Sequence, residues 1–195
     1  MKTVNRTIIA LLSWIVFIAF VSTSLAAADP SIVVTERGPV RGTVTEGLRQ
    51  FLGIPYAAPP LRNLRWRPPQ EHASWSAPLD TTRFAPHCPQ QASVFGTESV
   101  SEDCLFLNIF TPSDAPNERD NAHGYPVMVW IHGGALTVGE SDDYIPKKLV
   151  YQGSVMVVTI NYRLGAFGFL AHPALSAESP HHISGNYGIL VSSSR

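Results

Sequence analysis

Residues 125–139, reading YPVMVWIHGGALTVG, constrain this chain more than any other stretch. Pro126 punctuates it, and Val127–Ile131 is an unbroken apolar run of the kind a strand carries when both faces of its sheet are covered. The run passes directly into His132, Gly133, Gly134 and Ala135, where little side-chain bulk blocks the main chain and backbone N–H groups can turn toward a ligand. An oxyanion hole can be built this way, with donors about 2.7–3.1 Å from a developing negative oxygen. The same residues also suit an ordinary Gly-rich turn, and the stretch alone leaves both readings open. A phosphate-binding loop fits worse, because the stretch has neither G-x-G-x-x-G nor a Gly-Lys-Ser/Thr ending.

The rest of the chain has a globular composition. Its 195 residues, 45% hydrophobic and 15% charged, suffice for one domain with a real core. A net charge of -1 gives no basic footprint for nucleic acid and no polybasic patch for anionic lipid, so the expected partner is a small molecule. Residues 1–28 read separately. Lys2 and Arg6 form a positive start, residues 8–21 are apolar except for Ser13, and Ala26, Ala27 and Ala28 precede Asp29. This is the pattern of a cleavable secretory signal, and the apolar run is shorter than the roughly 20 residues a spanning helix needs. The expectation is cleavage after Ala28, a secreted, periplasmic or extracellular mature chain from residue 29, and no stable membrane insertion. In an oxidising compartment Cys88 and Cys104 are expected to pair, the alternative being two buried thiols.

Along the mature chain, residues 31–35, 40–46 and 50–54 are short β-branched runs separated by Gly38-Pro39 and Gly47, which predicts a small antiparallel meander. Pro55, Pro59, Pro60, Pro68 and Pro69 then exclude helix and central strand, leaving an irregular wrap pinned by Tyr56, Trp66 and Trp75. A strand is predicted at 105–110, a polar surface loop at 112–124, a short helix at 144–152 and a second continuous apolar strand at 155–160. Two apolar strands joined through a helix-sized crossover make a βαβ-like unit and argue for an α/β sheet. His181 and His182 are adjacent and point to opposite faces in extended backbone. With no third ligand nearby they read as solvated loop histidines, so neither a metal nor another cofactor is expected.

Six blocks in order carry a resemblance. They are Gly53-Ile54-Pro55-Tyr56-Ala57; Leu64-Arg65-Trp66 with Pro68-Pro69; Ser101-Glu102-Asp103-Cys104-Leu105-Phe106-Leu107-Asn108; Trp130-Ile131-His132-Gly133-Gly134-Ala135; Asn161-Tyr162-Arg163-Leu164-Gly165; and Gly185-Asn186-Tyr187-Gly188. From residue 51 to 190 the chain resembles the amino-terminal part of a type-B carboxylesterase, the cholinesterase-like branch of the α/β-hydrolases. The resemblance implies an incomplete α/β-hydrolase fold, with amino-terminal antiparallel strands leading into the first strands of the central sheet. It also implies a serine esterase acting on small-molecule carboxylic esters through an acyl-enzyme, in which a His deprotonates the nucleophile and an acid orients the His. Carried over by position, Gly134 and Ala135 supply oxyanion N–H groups and Gly133 the bend before them. Cys88 and Cys104 form the family's first disulfide, and Glu102 pairs with Arg163.

Four departures limit how far the resemblance carries. Arg62 stands where the family often has Gly, and Ala135 replaces a Gly of the commonest loop, which matters only if that position needs positive φ. Gly139-Glu140-Ser141 opens like the nucleophile elbow G-x-S-x-G, but Asp143 occupies the final Gly position and no strand leads into it. Past residue 190 the chain reads Val191-Ser192-Ser193-Ser194-Arg195, where the family continues toward its nucleophile. The expectation is an amino-terminal part of the domain, over residues 29–195, without nucleophile, acid or base and inactive alone, with strand 155–160 left as an open hydrophobic edge. The alternative is a non-catalytic cholinesterase-like binding or adhesion module.

Overall fold

The computed structural model describes residues 29–113 and 124–190; the expected signal segment and most of the 112–124 loop lie outside them. Eight strands form two sheets. β1 (Ile32–Val34), β2 (Pro39–Arg41) and β5 (Leu79–Asp80) make the smaller, in the order β1-β2-β5. β3 (Thr43–Thr45), β4 (Leu48–Pro55), β6 (Phe106–Pro112), β7 (Val127–Ile131) and β8 (Met156–Ile160) make the larger, in the order β3-β4-β6-β8-β7. The predicted single meander is therefore wrong. Its middle run breaks at Gly42, where a Cβ would stand 2.3 Å from the Gln50 carbonyl oxygen and 2.5 Å from the Phe51 ring. Gly42 is where the chain changes sheets: its N–H still donates to the Ser31 carbonyl at 2.8 Å beside β1, while the next residue, Thr43, already pairs with Gln50 of β4.

β4 and β6 pair antiparallel with a register shift between Phe51 and Ile54. Gly53 sits in this bulge with φ +72, and the Asn108 side chain accepts its N–H at 2.9 Å. The Pro-rich wrap is held as its aromatic residues suggested. Tyr56 donates to the Asn161 carbonyl at 2.7 Å, Trp66 to Ala166 at 2.8 Å and Trp75 to Pro39 at 2.7 Å. Within it lies a 3₁₀ turn, Arg62–Leu64, which opens with Arg62 at φ +50.

The βαβ unit is present. β7 and β8 pair parallel from Val127 opposite Met156 to Ile131 opposite Ile160, and α1 (Lys147–Gly153) crosses between them. Pro146 stands just before α1, and Ser154, left-handed at φ 46, ends it. Val150 of α1 is fully buried and packs in one cluster with Leu48, Leu52, Phe110 and Val157, fastening the helix to the sheet. Full burial of each such side chain contributes roughly 1.5–3 kcal/mol. A second cluster gathers Ala57, Leu105, Tyr162 and Leu164 around a disulfide between Cys88 and Cys104, whose Cα atoms are 4.9 Å apart. Two short helices follow, α2 (Gly165–Phe169) and α3 (Pro173–Glu178).

Two expectations about the sheet are corrected. β8 lies between β6 and β7, so it is not an open edge; the edge is β7. Nor is β7 covered on both faces, since Val127, Val129 and Ile131, on one side of its pleat, are 58%, 60% and 58% exposed. An apolar run reports that a strand is suited to burial; whether anything covers it depends on elements outside the run.

Candidate active site

The end of β7 delivers His132 into a buried position, and the next seven residues form a loop of unusual backbone. His132 stacks on Tyr162 with ring centroids 4.4 Å apart, and the Tyr162 hydroxyl donates to the His132 carbonyl at 3.0 Å. Burial pulls the His132 pKa down and favours the neutral ring; Nδ1 lies 2.9 Å from the Gly133 carbonyl, which accepts its hydrogen in that tautomer. Gly134, Ala135 and Leu136 follow with φ +100, +53 and +64. Three positive φ values in succession roll the chain back on itself, and Gly134's carbonyl accepts from Thr137 and Val138 at 3.0 and 3.1 Å. The Leu136 carbonyl accepts from Gly165 at 2.7 Å, tying the loop to the start of α2.

The consequence is at the outer side of the turn. Gly133 and Ala135 are exposed and Gly134 half-buried, and among the described residues no acceptor takes the amide hydrogens of Gly134 or Ala135. Two neighbouring free N–H groups on a fixed loop are what stabilisation of an oxyanion requires. The position of Ala135 does need positive φ, so its methyl group carries strain that Gly would not.

Behind the loop, Gly139 is enclosed. A Cβ there would lie 2.3 Å from His132 Nδ1 and 2.7 Å from the Gly133 carbonyl oxygen. Its N–H donates to the Gln90 side chain at 2.8 Å and its carbonyl accepts from the same amide at 3.1 Å. Ser141 is 4% exposed; its hydroxyl accepts from Asn108 at 2.9 Å, its N–H donates to Asn161 at 2.8 Å, and no imidazole among the described residues bonds to it. It is a buried link between strands, with no elbow geometry. His181 and His182 are exposed loop residues.

The expected pairing of Glu102 with Arg163 is not what the side chains do. Glu102 takes a two-point contact from Arg65, whose pKa the carboxylate raises, while Arg163 donates through Nη2 to the Tyr187 carbonyl at 2.9 Å. Arg163 is 2% exposed, and burial lowers its pKa against the opposing effect of Tyr56 and Tyr187. Arg65 reaches Glu102 from a half-exposed rim and engages both carboxylate oxygens in a two-point contact, while Arg163 lies buried with its Nη2 on the Tyr187 carbonyl. The two still border one narrow cavity with Arg65, Pro60, Pro89 and Phe167.

Sequence reasoning missed Gln90 and His87 beside the disulfide, and Asn108 and Asn161 on the strands. The only signal was Asn108 inside the otherwise apolar β6 and Asn161 directly after the apolar β8, polar side chains that need a partner when buried.

A mixed sheet whose parallel βαβ unit carries, directly after its first strand, a loop with two unaccepted amides is that of a partial α/β-hydrolase fold. The sequence profile described as "Carboxylesterase family" matches residues 29–190, and the chain belongs to that family. It is 45% identical over 170 residues to a fumonisin B1 esterase of Sphingopyxis macrogoltabida, covering 83% of this chain and 30% of that protein. With the para-nitrobenzyl esterase of Bacillus subtilis (strain 168) it shares 43% identity over 146 residues, 71% of this chain and 29% of the relative. The solved structure of a thermophilic PNB esterase superposes with TM-score 0.73 at 40% identity, covering 84% of this chain and 33% of that one. The chain thus spans about a third of the length of the relatives it matches.

Proposed function

We propose that this chain carries the oxyanion-stabilising loop of a serine carboxylesterase acting on small-molecule carboxylic esters, and that the chain alone does not turn them over. The observation behind this reading is the pair of unaccepted amides at Gly134 and Ala135 beside a buried, neutral His132. In the family mechanism a serine hydroxyl adds to the ester carbonyl while a His takes its proton, and the oxygen that gains the electron pair is held by N–H groups. Each such donor is worth roughly 3–4 kcal/mol, but only on a reaction whose nucleophile is in place. Ser141, buried and bonded to Asn108, does not supply that nucleophile. Loss of a nucleophile costs about a millionfold in kcat, so the donors have nothing to act on.

The assay is hydrolysis of a p-nitrophenyl ester by the purified chain, with and without a serine-directed phosphonate. No phosphonate-sensitive turnover is expected; a labelled serine would overturn the assignment. Export is part of the same proposal. Mass spectrometry of secreted material should find Asp29 as the first residue, and Met1 retained on membrane-embedded protein would refute it. One feature favours a second reading, a non-catalytic binding module: a cleft of about 640 Å³ walled by Leu64, Trp66, Leu175, Ile183 and Tyr187, within the size range of small-molecule sites. Saturable quenching of tryptophan fluorescence by an aromatic ester, lost in Trp66→Leu and unaccompanied by turnover, would support that reading.

A further inference from the structure

The disulfide-closed segment and the loop after β7 meet through a set of side chains that the esterase reading does not use. Gln90 grips both the N–H and the carbonyl of Gly139. Glu140 accepts from the Thr97 N–H at 2.8 Å and from its hydroxyl at 3.0 Å. Between these lies His87, with Nδ1 3.0 Å from Glu140 and Nε2 2.8 Å from Asp142. Both ring nitrogens therefore face carboxylate oxygens. A neutral imidazole has one N–H and one lone pair, so it can satisfy only one of them; the imidazolium satisfies both. Asp142 Oδ1 is buried and takes no hydrogen bond from any other group, and Nε2, 2.8 Å away, is the group placed to meet it when it carries a proton. A metal ion fits less well: bound to one ring nitrogen it would leave the other N–H to one carboxylate, so it would find only one imidazole and one carboxylate here, fewer than the three or four protein ligands of a built site.

We propose that His87, bridging Glu140 and Asp142, is a proton-operated latch that holds the turn around Asp142, residues 141–143, against the segment closed by Cys88–Cys104. The groups facing the ring are Asp142, Glu140 and Asp143, all acidic, and the more distant His132, whose burial keeps it neutral. The Asp142 hydrogen bond raises the His87 pKa first, burial opposes it, and the charges of Asp142, Glu140 and Asp143 raise it further. With the folded pKa above the unfolded value, the latch is fully present below the unfolded pKa of about 6.5 and is released as pH rises through the folded one. Thr97 and Gln90 keep Glu140 and Gly139 in place at any pH, so release frees Asp142 and the turn around it.

The latch does not depend on ester hydrolysis, and its test is structural. Amide hydrogen exchange of the full chain over residues 141–143 is measured at about pH 5.5 and about pH 8.5 and corrected for intrinsic rates. Protection present in the wild type at the lower pH should be lost at the higher one, and should not change between them in His87→Gln. Side-chain NMR should place the His87 midpoint above about 6.5 in the wild type and lower in Asp142→Asn. These ring titrations decide the matter if His87→Gln does not fold. Equal pH dependence in both chains, a wild-type midpoint at or below the ordinary value, or no protection at either pH would each overturn the latch.

Discussion

Placing a lysine at Val129, in the middle of the open strand β7, should convert a self-associating chain into a monomer. Val127, Met128, Val129 and Ile131 are 58%, 47%, 60% and 58% exposed, and β7 has no partner on its outer side among the described residues. Full burial of a side chain of this class is worth roughly 1.5–3 kcal/mol, so each half-exposed one leaves about 0.7–1.7 kcal/mol unrealised. Four on each strand would amount to about 6–14 kcal/mol over two copies, an upper bound, because edge-to-edge pairing shields the two faces only in part and adds ladder hydrogen bonds to that fraction. Association costs an estimated 4–15 kcal/mol, so a micromolar dimer, worth about 8 kcal/mol, needs both the apolar burial and the ladder. An ammonium at position 129 would have to be desolvated in the centre of that contact, which is how natural edge strands prevent pairing. Sedimentation velocity from about 1 to 100 μM, a range that spans that affinity, should show the wild type growing in mass and Val129→Lys unchanged. A wild-type chain that stays monomeric with one sharp thermal transition would refute the open edge as a source of association.

Three further outcomes are expected, measured in the Val129→Lys background to separate folding from association. Gly134→Ala, whose new Cβ would meet the Val138 carbonyl oxygen at 1.9 Å with φ at +100, should cost about 2–5 kcal/mol, or roughly 5–15 °C in Tm, while Gly133→Ala, with open space around it, should change Tm by a few degrees at most. Ala135→Gly and Arg62→Gly should each stabilise the fold by up to about 1 kcal/mol in urea titration, because φ values of +53 and +50 cost a side chain what they do not cost glycine. Reducing Cys88–Cys104, which closes a separation of 16 residues, should lower stability by about 3 kcal/mol and raise hydrogen exchange around Gly139, the residue that Gln90 grips from inside the closed segment.

What could be read from the sequence was whatever a single segment decides for itself. Pro59 to Pro69 leave room for no more than the 3₁₀ turn Arg62–Leu64, and the two apolar runs flanking a helix-length segment became the parallel pair β7 and β8 with α1 between. Properties that depend on a partner were not legible. The Glu102 carboxylate had two arginines within reach of the fold, and only the positions of Arg65 on the rim and Arg163 in the interior decide which one it takes. Nothing in the order of residues 87–90 and 139–142 says that a histidine and an amide will close on a loop about 50 residues away; that contact arises from the disulfide and the sheet together.

Ala135 and Arg62 show the same dependence in the backbone. At each, the resemblance led one to expect glycine, and at each the chain keeps a left-handed conformation although a side chain is present. A penalty of roughly 1–2 kcal/mol per residue does not redirect the main chain, because the surroundings fix it more strongly. Around Ala135 those surroundings are the Gly134 carbonyl bonded to Thr137 and Val138, the Leu136 carbonyl bonded to Gly165, and Gly139 clamped by Gln90. The amide directions of Gly134 and Ala135 therefore follow from bonds made on either side of them, and the residue at position 135 contributes its N–H and little else. A loop held from both sides in this way tolerates alanine at the donor position; it tolerates no side chain at Gly134 or Gly139, where the neighbours that hold the loop already occupy the space.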